Sequence, residues 1–209
     1  TKEGLVSNFV ECIFEDEEEN IWFGTRGGVS QYDGKSFVSF DGEDELTGSV
    51  HTISQDKIGV MWIGTDDGVF HYDKKKITPF LHSDGSAFFN VRAIERDSKD
   101  VMWIGSENGL QKCTLLIDGT KQLMHVRPNF TSHIHENSNG QLLICSSGYN
   151  AMTKTSHGME LSQYDGINFE IIAQTDELND GQIFCGRKDD AGNIWFGTHR
   201  DGFSHLYVV

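Results

Sequence analysis

The stretch from Asn20 to Asp33 reads Asn-Ile-Trp-Phe-Gly-Thr-Arg-Gly-Gly-Val-Ser-Gln-Tyr-Asp, and it decides the fold because related copies follow it along the chain. Each copy has a short apolar run, a glycine-rich turn and a second apolar run. The anchor residues are Trp22, Trp62, Trp103, Leu143 and Trp195, spaced by 40, 41, 40 and 52 residues. A period of about 40 residues made of short strands and tight turns predicts the four-stranded blades of a β-propeller.

The first repeat shows how one blade is built. An inner strand from Val10 to Phe14 precedes the tryptophan strand, a third strand ends at Asp33-Gly34, and Phe37 to Phe40 form an outer strand. The sequence therefore predicts an all-β fold, a five-bladed β-propeller of four-stranded antiparallel blades. The fifth repeat stops after its third strand, so we expect either a three-stranded last blade whose face packs on blade one or a chain cut from a longer array of blades. The expected single domain, 1–209, has blades at 5–40, 46–80, 87–126, 129–172 and 178–209.

The repeat also resembles a known family. The pattern Val-x-x-Ile-x-x-Asp, a turn, Ile-Trp-Phe-Gly-Thr, then Gly-Gly-Val-x-x-Tyr-Asp-Gly-x-x-Phe is similar to the two-component-regulator propeller repeat, and the resemblance covers nearly the whole chain. This resemblance implies an extracytoplasmic sensor region of a bacterial hybrid histidine kinase, in the periplasm or outside the cell, that recognises a glycan. The start of the chain, residues 1–5, carries no apolar signal region. The shared motifs are scaffold, so they do not specify the ligand.

Bulk composition narrows the partners. The 209 residues carry a net charge of -15, which argues against nucleic acid and anionic lipid surfaces because both require a basic footprint. The charge is compatible with a neutral sugar, a cationic group or a basic protein partner. No run of 18 apolar residues is present, so the sequence predicts no transmembrane segment. We expect no cofactor.

A comparison of the repeats with one another indicates where a ligand would bind. Two positions diverge while the scaffold persists, and both are expected on the face that carries the loops between blades. The residue after Gly-Thr is Arg26, Asp66, Glu107, Ser147 or His199. The residue after the first apolar residue of the inner strand is Glu11, His51, Arg92, Ser132 or Phe184. The divergence indicates either an asymmetric ligand site or relaxed solvent-facing positions.

The fourth repeat departs most from the others. About eleven extra residues, 147–157, lengthen its upper loop, and insertions in repeat arrays often map to the binding face. The insertion offers an aromatic ring with donors and acceptors for a sugar or small polar ligand, from Tyr149, Asn150, Lys154 and His157. The alternative is a surface excursion without a function.

The same repeat carries two histidines, His133 and His135, which share one face of a strand. They could begin a metal site, line the central channel as hydrogen-bonding groups, or join Glu11 and His51 as the acid-base set of a lyase or hydrolase. No third metal ligand is fixed by spacing. Three function classes therefore remain: a non-catalytic ligand-binding or sensor-type propeller, a propeller lyase or hydrolase, and a protein-interaction platform with an acidic face.

The turn after the first inner strand crowds carboxylates at Asp16 to Glu19, which could be taken for a calcium loop. The same slot in the second repeat reads Asp56-Lys57-Ile58-Gly59. A slot that tolerates lysine and lacks alternating ligand spacing is a hairpin turn.

Overall fold

The computed structural model describes residues 4–40, 46–116, 119–150, 155–174, 183–189, 191, 193–198 and 202–206. These residues form nineteen strands in five sheets. No described segment is a helix with the length and hydrophobicity needed to span a membrane.

The strands follow the chain in blade order. Blade one contains β1 (Val10–Glu15), β2 (Ile21–Thr25), β3 (Gly28–Tyr32) and β4 (Phe37–Phe40). Blade two contains β5 (Val50–Gln55), β6 (Met61–Thr65), β7 (Val69–Tyr72) and β8 (Ile77–Phe80). Blade three contains β9 (Ala93–Arg96), β10 (Met102–Ser106), β11 (Gly109–Leu115) and β12 (Lys121–Arg127). Blade four contains β13 (Thr131–Glu136), β14 (Leu142–Asn150), β15 (Thr155–Tyr164) and β16 (Phe169–Gln174). Blade five contains β17 (Ile183–Lys188), β18 (Ile194–Thr198) and β19 (Gly202–Leu206).

Every sheet is a meander in which each strand pairs antiparallel with the next strand of the chain. Four sheets have four strands, and the last has three within the described residues, which confirms the predicted fold class. The inner strands begin at the edge where β2 turns into β3 and where one blade leads to the next. We call this edge the upper face and the opposite edge the lower face.

Neighbouring blades meet through one recurring contact. Trp22 of blade one is buried in a cluster with Val50 and Ile53 of blade two. Gly64 of blade two faces Val91 of blade three so closely that an added Cβ would lie 2.7 Å from the valine Cγ1. The sequence assigned tryptophan and glycine to packing between blades, and the structure confirms it.

The tryptophans are also tied to the turn that precedes them. The indole Nε1–H of Trp103 donates to Asp97 Oδ2 at 2.8 Å, while Asp97 Oδ1 accepts backbone N–H groups of Lys99 and Val101 at 2.9 Å each. Blades one, two and five repeat the indole–carboxylate bond, as Trp22–Asp16, Trp62–Asp56 and Trp195–Asp189. One aspartate therefore closes the hairpin and orients the ring that packs on the next blade.

Blade four replaces both partners together. Asn137 takes the aspartate position and Leu143 the tryptophan position, so no indole donor remains to be satisfied. The Asn137 side-chain oxygen still accepts the turn N–H groups of Asn139 at 2.9 Å and Gln141 at 3.1 Å. The turn function is thus kept while the ring-orienting function is lost.

The described extra residues of blade four extend two strands, where the sequence predicted a longer loop. β14 and β15 extend through them, pairing Tyr149 with Ser156 and Asn150 with Thr155 after a bulge between Ser147 and Tyr149. The ladder continues because pairing satisfies backbone groups that an open loop would leave to solvent. Residues 151–154 lie outside the described residues.

The two end blades each keep one face uncovered in the described part of the chain. Ile13 of blade one is 64% exposed, whereas its counterparts Ile53 and Ile94 are 6% and 4% exposed. Trp195 of blade five is 42% exposed, whereas Trp22 is 1% exposed. The expected packing of blade five on blade one is not seen among the described residues.

The close approach at Gly64 predicts a stability cost for any added side chain. We expect Gly64→Ala to lower the free energy of unfolding by about 1–3 kcal/mol, because its Cβ would lie 2.5 Å from Thr52 Cγ2 and 2.7 Å from Val91 Cγ1. Urea denaturation checks the change. Gly27→Ala is the control, since its nearest contact is 3.1 Å away at Val6. Equal costs for the two variants would contradict the packing argument.

The aspartate–indole pair predicts a contrast between blades three and four. We expect Asp97→Asn to cost about 1–3 kcal/mol of unfolding free energy, because the amide would turn its NH₂ toward the indole N–H of Trp103. Asn137→Asp should change stability by less than about 0.5 kcal/mol, since its turn bonds persist and its partner is Leu143. Chemical denaturation of both variants tests the pair, and a costly Asn137→Asp would refute it.

Candidate functional site

The upper face brings the two divergent positions of each blade side by side. In blade two the backbone N–H of Asp66 donates to the carbonyl of Ser49, which precedes the inner strand. In blade three Glu107 makes a similar bond to the carbonyl of Phe89, which lies one residue further upstream than Ser49 does. It fixes the residue after Gly-Thr beside the second residue of the inner strand. The sequence located both positions on one face, and this backbone bond explains why they meet.

Blades two and three are joined there by side chains. His51 Nε2 lies 2.7 Å from Asp66 Oδ1, and Arg92 NH1 lies 3.1 Å from His51 Nδ1. A guanidinium only donates, so Nδ1 of His51 is the acceptor and Nε2–H donates to Asp66. Arg92 also reaches Asp66 directly, with NH2 3.5 Å from Oδ1. The ring is therefore held in one tautomer by two neighbours.

The chain of contacts continues into blade three. Arg92 Nε donates to Asn90 Oδ1 at 2.6 Å, and Asn90 Nδ2 donates to Glu107 Oε2 at 3.1 Å. Asn90 has a left-handed backbone with φ of 51°, a conformation that asparagine tolerates better than most residues. We call His51, Asp66, Asn90, Arg92 and Glu107 the rim network. The comparison of the repeats predicted four of these residues as ligand-binding positions. It missed Asn90, because nothing in the sequence indicates the left-handed backbone there.

The rim network is charged yet accessible. Partial burial raises the pKa of Asp66, but the hydrogen bond from His51, the Ser49 N–H and the Arg92 charge together lower it below its usual value. Its carboxylate therefore stays ionised beside a guanidinium. The side chains of Asp66 and Arg92 are 43% and 34% exposed. A ligand can reach both a donor and an acceptor on this face without opening the core.

The corresponding positions of blade one form a separate pair. Arg26 Nε donates to Glu11 Oε1 at 2.6 Å, and the guanidinium lies 5.0 Å from the centroid of the Phe9 ring. This pair lies at the same height on the upper face as the rim network. It satisfies the charge of Glu11 within its own blade.

The two blade-four histidines lie on inner strand β13. His135 Nδ1 lies 3.6 Å from Glu95 Oε1 of blade three. His51 is the second residue of its inner strand and His135 the fifth of its own. Three residues along a strand span about 10 Å, so the two imidazoles lie toward opposite ends of the inner strands. The described contacts do not join His51, Glu11, His133 and His135 into one constellation.

Several predicted ligand residues fall outside the described side chains. Lys154 and His199 lie outside the described residues, and Tyr149, Asn150 and His157 are placed on β14 and β15 without described side chains. They remain predictions.

The described residues hold no group of three or more histidine, cysteine or carboxylate side chains that could bind a metal ion. At the acidic turn, Asp16 instead accepts hydrogen bonds from Trp22, Asn20 and the Glu18 N–H. Burial raises the pKa of Asp16, and these bonds outweigh that effect and lower it. Its oxygens are committed to the hairpin.

A partly buried cation lies between blades two and three toward the lower face. Lys121 Nζ is 4.4 Å from the Trp62 ring centroid, 3.8 Å from Asp56 Oδ2 and 3.5 Å from both ring nitrogens of His71. Burial lowers the pKa of Lys121, although the Asp56 charge opposes the change. Burial, followed by the lysine charge, lowers the pKa of His71 to about 3. This cluster packs the two blades together.

A cavity that the sequence did not indicate opens between the connection after β8 and the outer strands of blade three. Its volume is about 450 Å³, and it is lined in part by His82, Asp84, Gln111 and His125. Gln111 occupies the position of Phe70 in blade two, opposite the isoleucine of the tryptophan strand. The equivalent residues of the remaining blades are Ser30, Ser162 and Ser204, so a long amide at a position held elsewhere by serine or phenylalanine was the available signal.

Comparisons with known proteins agree with this architecture. The family model described as two component regulator propeller matches residues 4–27 and 44–67. These two stretches are thus similar to two component regulator propeller repeats. The match confirms the resemblance drawn from the sequence, and it falls on the inner and tryptophan strands of blades one and two. No curated protein matches the chain.

Solved structures share the propeller fold. The extracellular domain of a hybrid two component system from B. thetaiotaomicron superposes with a TM-score of 0.74 at 20% identity, covering 99% of this chain and 29% of that one. The extracellular domain of a one component system from the same organism gives 0.71 at 21% identity, covering 96% and 27%. A catalytically inactive virginiamycin B lyase from Staphylococcus aureus gives 0.62 at 14% identity, covering 94% and 69%. The chain thus spans less than a third of the first two proteins, and likeness at these identities shows the fold.

The buried His71 predicts a pH dependence of stability. Its pKa is about 3 in the folded chain against 6.5 for an unperturbed histidine, so below pH 6.5 the unfolded state takes up a proton that the folded state excludes. Stability should fall as pH drops from about 6.5 toward about 3. His71→Phe keeps an aromatic ring against Trp62 and Phe80. Urea midpoints from pH 7 to 4 should show a shallower slope for the variant; parallel slopes would refute the assignment.

Proposed function

We propose that this chain is a non-catalytic, sensor-type propeller that binds a small polar ligand, such as a glycan, on its upper face. The observation that carries the proposal is the rim network, in which unlike polar side chains from two blades are joined at positions where the scaffold imposes no residue type. The two component regulator propeller repeats and the likeness to extracellular domains of two-component systems support a sensor role. They also support a location in the periplasm or outside the cell.

The chemistry of the rim network favours a neutral ligand. Arg92 faces the Asp66 carboxylate, and the Arg26 guanidinium faces Glu11, so both of these guanidinium groups are already paired. The protein as a whole carries a charge of -15, which opposes the approach of an anion. A ligand with several hydroxyl groups both donates and accepts, and so can bond to the guanidinium and the carboxylates together.

The same geometry is unfavourable for acid-base catalysis at this face. The Nδ1 lone pair of His51 is engaged by Arg92, and its Nε2–H is engaged by Asp66. A general base needs a free lone pair within reach of the substrate proton. Binding is therefore the function that the network supports best. Turnover of a bound compound would instead support the lyase or hydrolase hypothesis.

A thermal-shift screen of neutral mono- and oligosaccharides and polar metabolites, with and without chelator, tests the proposal. A ligand at 100 times its Kd stabilises the folded state by about 2.7 kcal/mol, which corresponds to a Tm increase of roughly 5–10 °C for a domain of this size. Arg92→Ala should abolish the shift, because it removes the residue that links the two blades at the network.

Arg96→Ala is the matched control. Arg92 directly precedes the inner strand β9, and Arg96 lies at the lower end of that strand. Arg96 donates a hydrogen bond to Glu17 at 3.1 Å. It should retain the ligand-induced shift. Equal loss in both variants, or turnover of a hit detected by mass spectrometry, would contradict non-catalytic binding at the network.

A further inference from the structure

We propose that the cavity between blades two and three is a second binding site, for a neutral hydroxyl-rich ligand of monosaccharide to disaccharide size. The site shares no residue with the rim network, although its lining residue Asn108 directly follows Glu107. Its volume of about 450 Å³ lies within the range of small-molecule sites in proteins. We refer to it as the blade-three cavity.

One wall of the blade-three cavity is the face of blade three that looks toward blade two. Gln111 and His125 are cross-strand partners on β11 and β12, so their side chains share a face. Leu123, two residues before His125, lies on that face and also packs against the core between the two blades. The wall therefore combines an amide, an imidazole and an apolar patch.

The opposite wall is a turn with its own internal bonds. The His82 N–H donates to the Ser86 carbonyl at 2.9 Å, and the Ser86 hydroxyl donates to Asp84 Oδ1 at 2.6 Å. The His82 ring stacks on Phe88, with centroids 4.1 Å apart, and Phe88 is buried. These contacts hold an imidazole and a carboxylate in place at the cavity edge.

Gln111 is the observation that points to a ligand. Its side chain is 4% exposed, and its Oε1 is buried without a hydrogen-bond partner among the described residues. A buried polar atom without a partner lowers stability by about 1–3 kcal/mol. A ligand that donates a hydrogen bond to this oxygen would remove that cost. At the corresponding position blade two places Phe70, which is buried in the core between blades one and two. Blades one, four and five place Ser30, Ser162 and Ser204 there, so among the five blades only blade three carries a long amide at this position.

The other groups at the cavity select among ligand classes. The side chains of Asn108, His82 and His125 line it with the Asp84 carboxylate, so donors and acceptors are mixed. Asp84 and the protein's net charge of -15 disfavour an anion. The histidines and Asp84 do not form a group that could hold a metal among the described side chains. The hydroxyl groups of a sugar can donate to the amide oxygen and accept from an imidazole, while the apolar face of the sugar ring can pack on Leu123. A sugar therefore matches all three kinds of group that line the cavity.

The experiment follows the ring resonances of His82 and His125 by NMR during titration with glucose, galactose and maltose. We expect both rings to shift at about 10 mM of at least one sugar, a concentration that nearly saturates a site with a Kd of about 1 mM. Parallel titrations with methylammonium chloride, sodium phosphate and zinc chloride represent a cation, an anion and a metal. A response to one of these with none to the sugars would overturn the ligand class, and no response at all would overturn the site.

Two variants locate the binding. Gln111→Leu should weaken sugar binding at least about tenfold while leaving the ligand-free Tm at or above that of the native chain, because it removes a buried acceptor that lacks a partner. Gln111→Phe, which copies Phe70 of blade two, should fill the cavity with the same effect on binding. A ligand-free Tm that falls in both variants would show that Gln111 serves stability instead.

Gln122→Leu is the matched control, since Gln122 lies on β12 outside the cavity and is exposed. It should bind sugar as the native chain does. Sugar binding that survives Gln111→Leu but is lost in Arg92→Ala belongs to the rim network; it would overturn the second site and leave the proposed function standing. Binding lost only in the Gln111 variants supports the second site by itself.

Discussion

Blades one to three each pack a tryptophan and a glycine against the start of the next inner strand, and the rest of the structure depends on that contact. The ring of Trp22 lies in one cluster with Val50 and Ile53, and the glycine two residues later leaves no room for a side chain opposite Val50. The preceding aspartate holds the ring in place through the indole N–H. Because one residue closes the hairpin and orients the ring, local turn chemistry and packing between blades are coupled at every repeat that keeps both.

This scaffold separates the positions that must stay alike from those that are free to differ. The packing contacts involve the tryptophans, the glycines and the first residues of the inner strands, whereas the residues that follow them at the upper face carry unlike polar side chains. In blades one to four a backbone bond from the residue at the position after Gly-Thr to the connection before the inner strand brings two such free positions together. Within blade one they form a single ion pair, while Arg92 links blades two and three into a larger polar network.

Much of this could be predicted from residue types alone. The spacing of Trp22, Trp62 and Trp103 gave the blades, and the unlike residues at His51, Asp66 and Arg92 gave most of the rim network. The extension of β14 and β15 through the inserted residues was missed, because strand pairing depends on the partner strand as well as on composition. The blade-three cavity was also missed, because a void is defined by three segments that are distant in sequence.

The sequence by itself determined the fold class, the order of the strands and the face on which variation collects, since periodic apolar positions and turn residues act over a few neighbours. Only the tertiary structure decided which polar side chains meet. Arg92 reaches His51 from a different blade, and Gln111 faces the His82 turn from the far side of a gap. Those encounters depend on the distance and rotation between neighbouring sheets. The packing of tryptophan, glycine and valine between blades sets both quantities, and no single repeat encodes them.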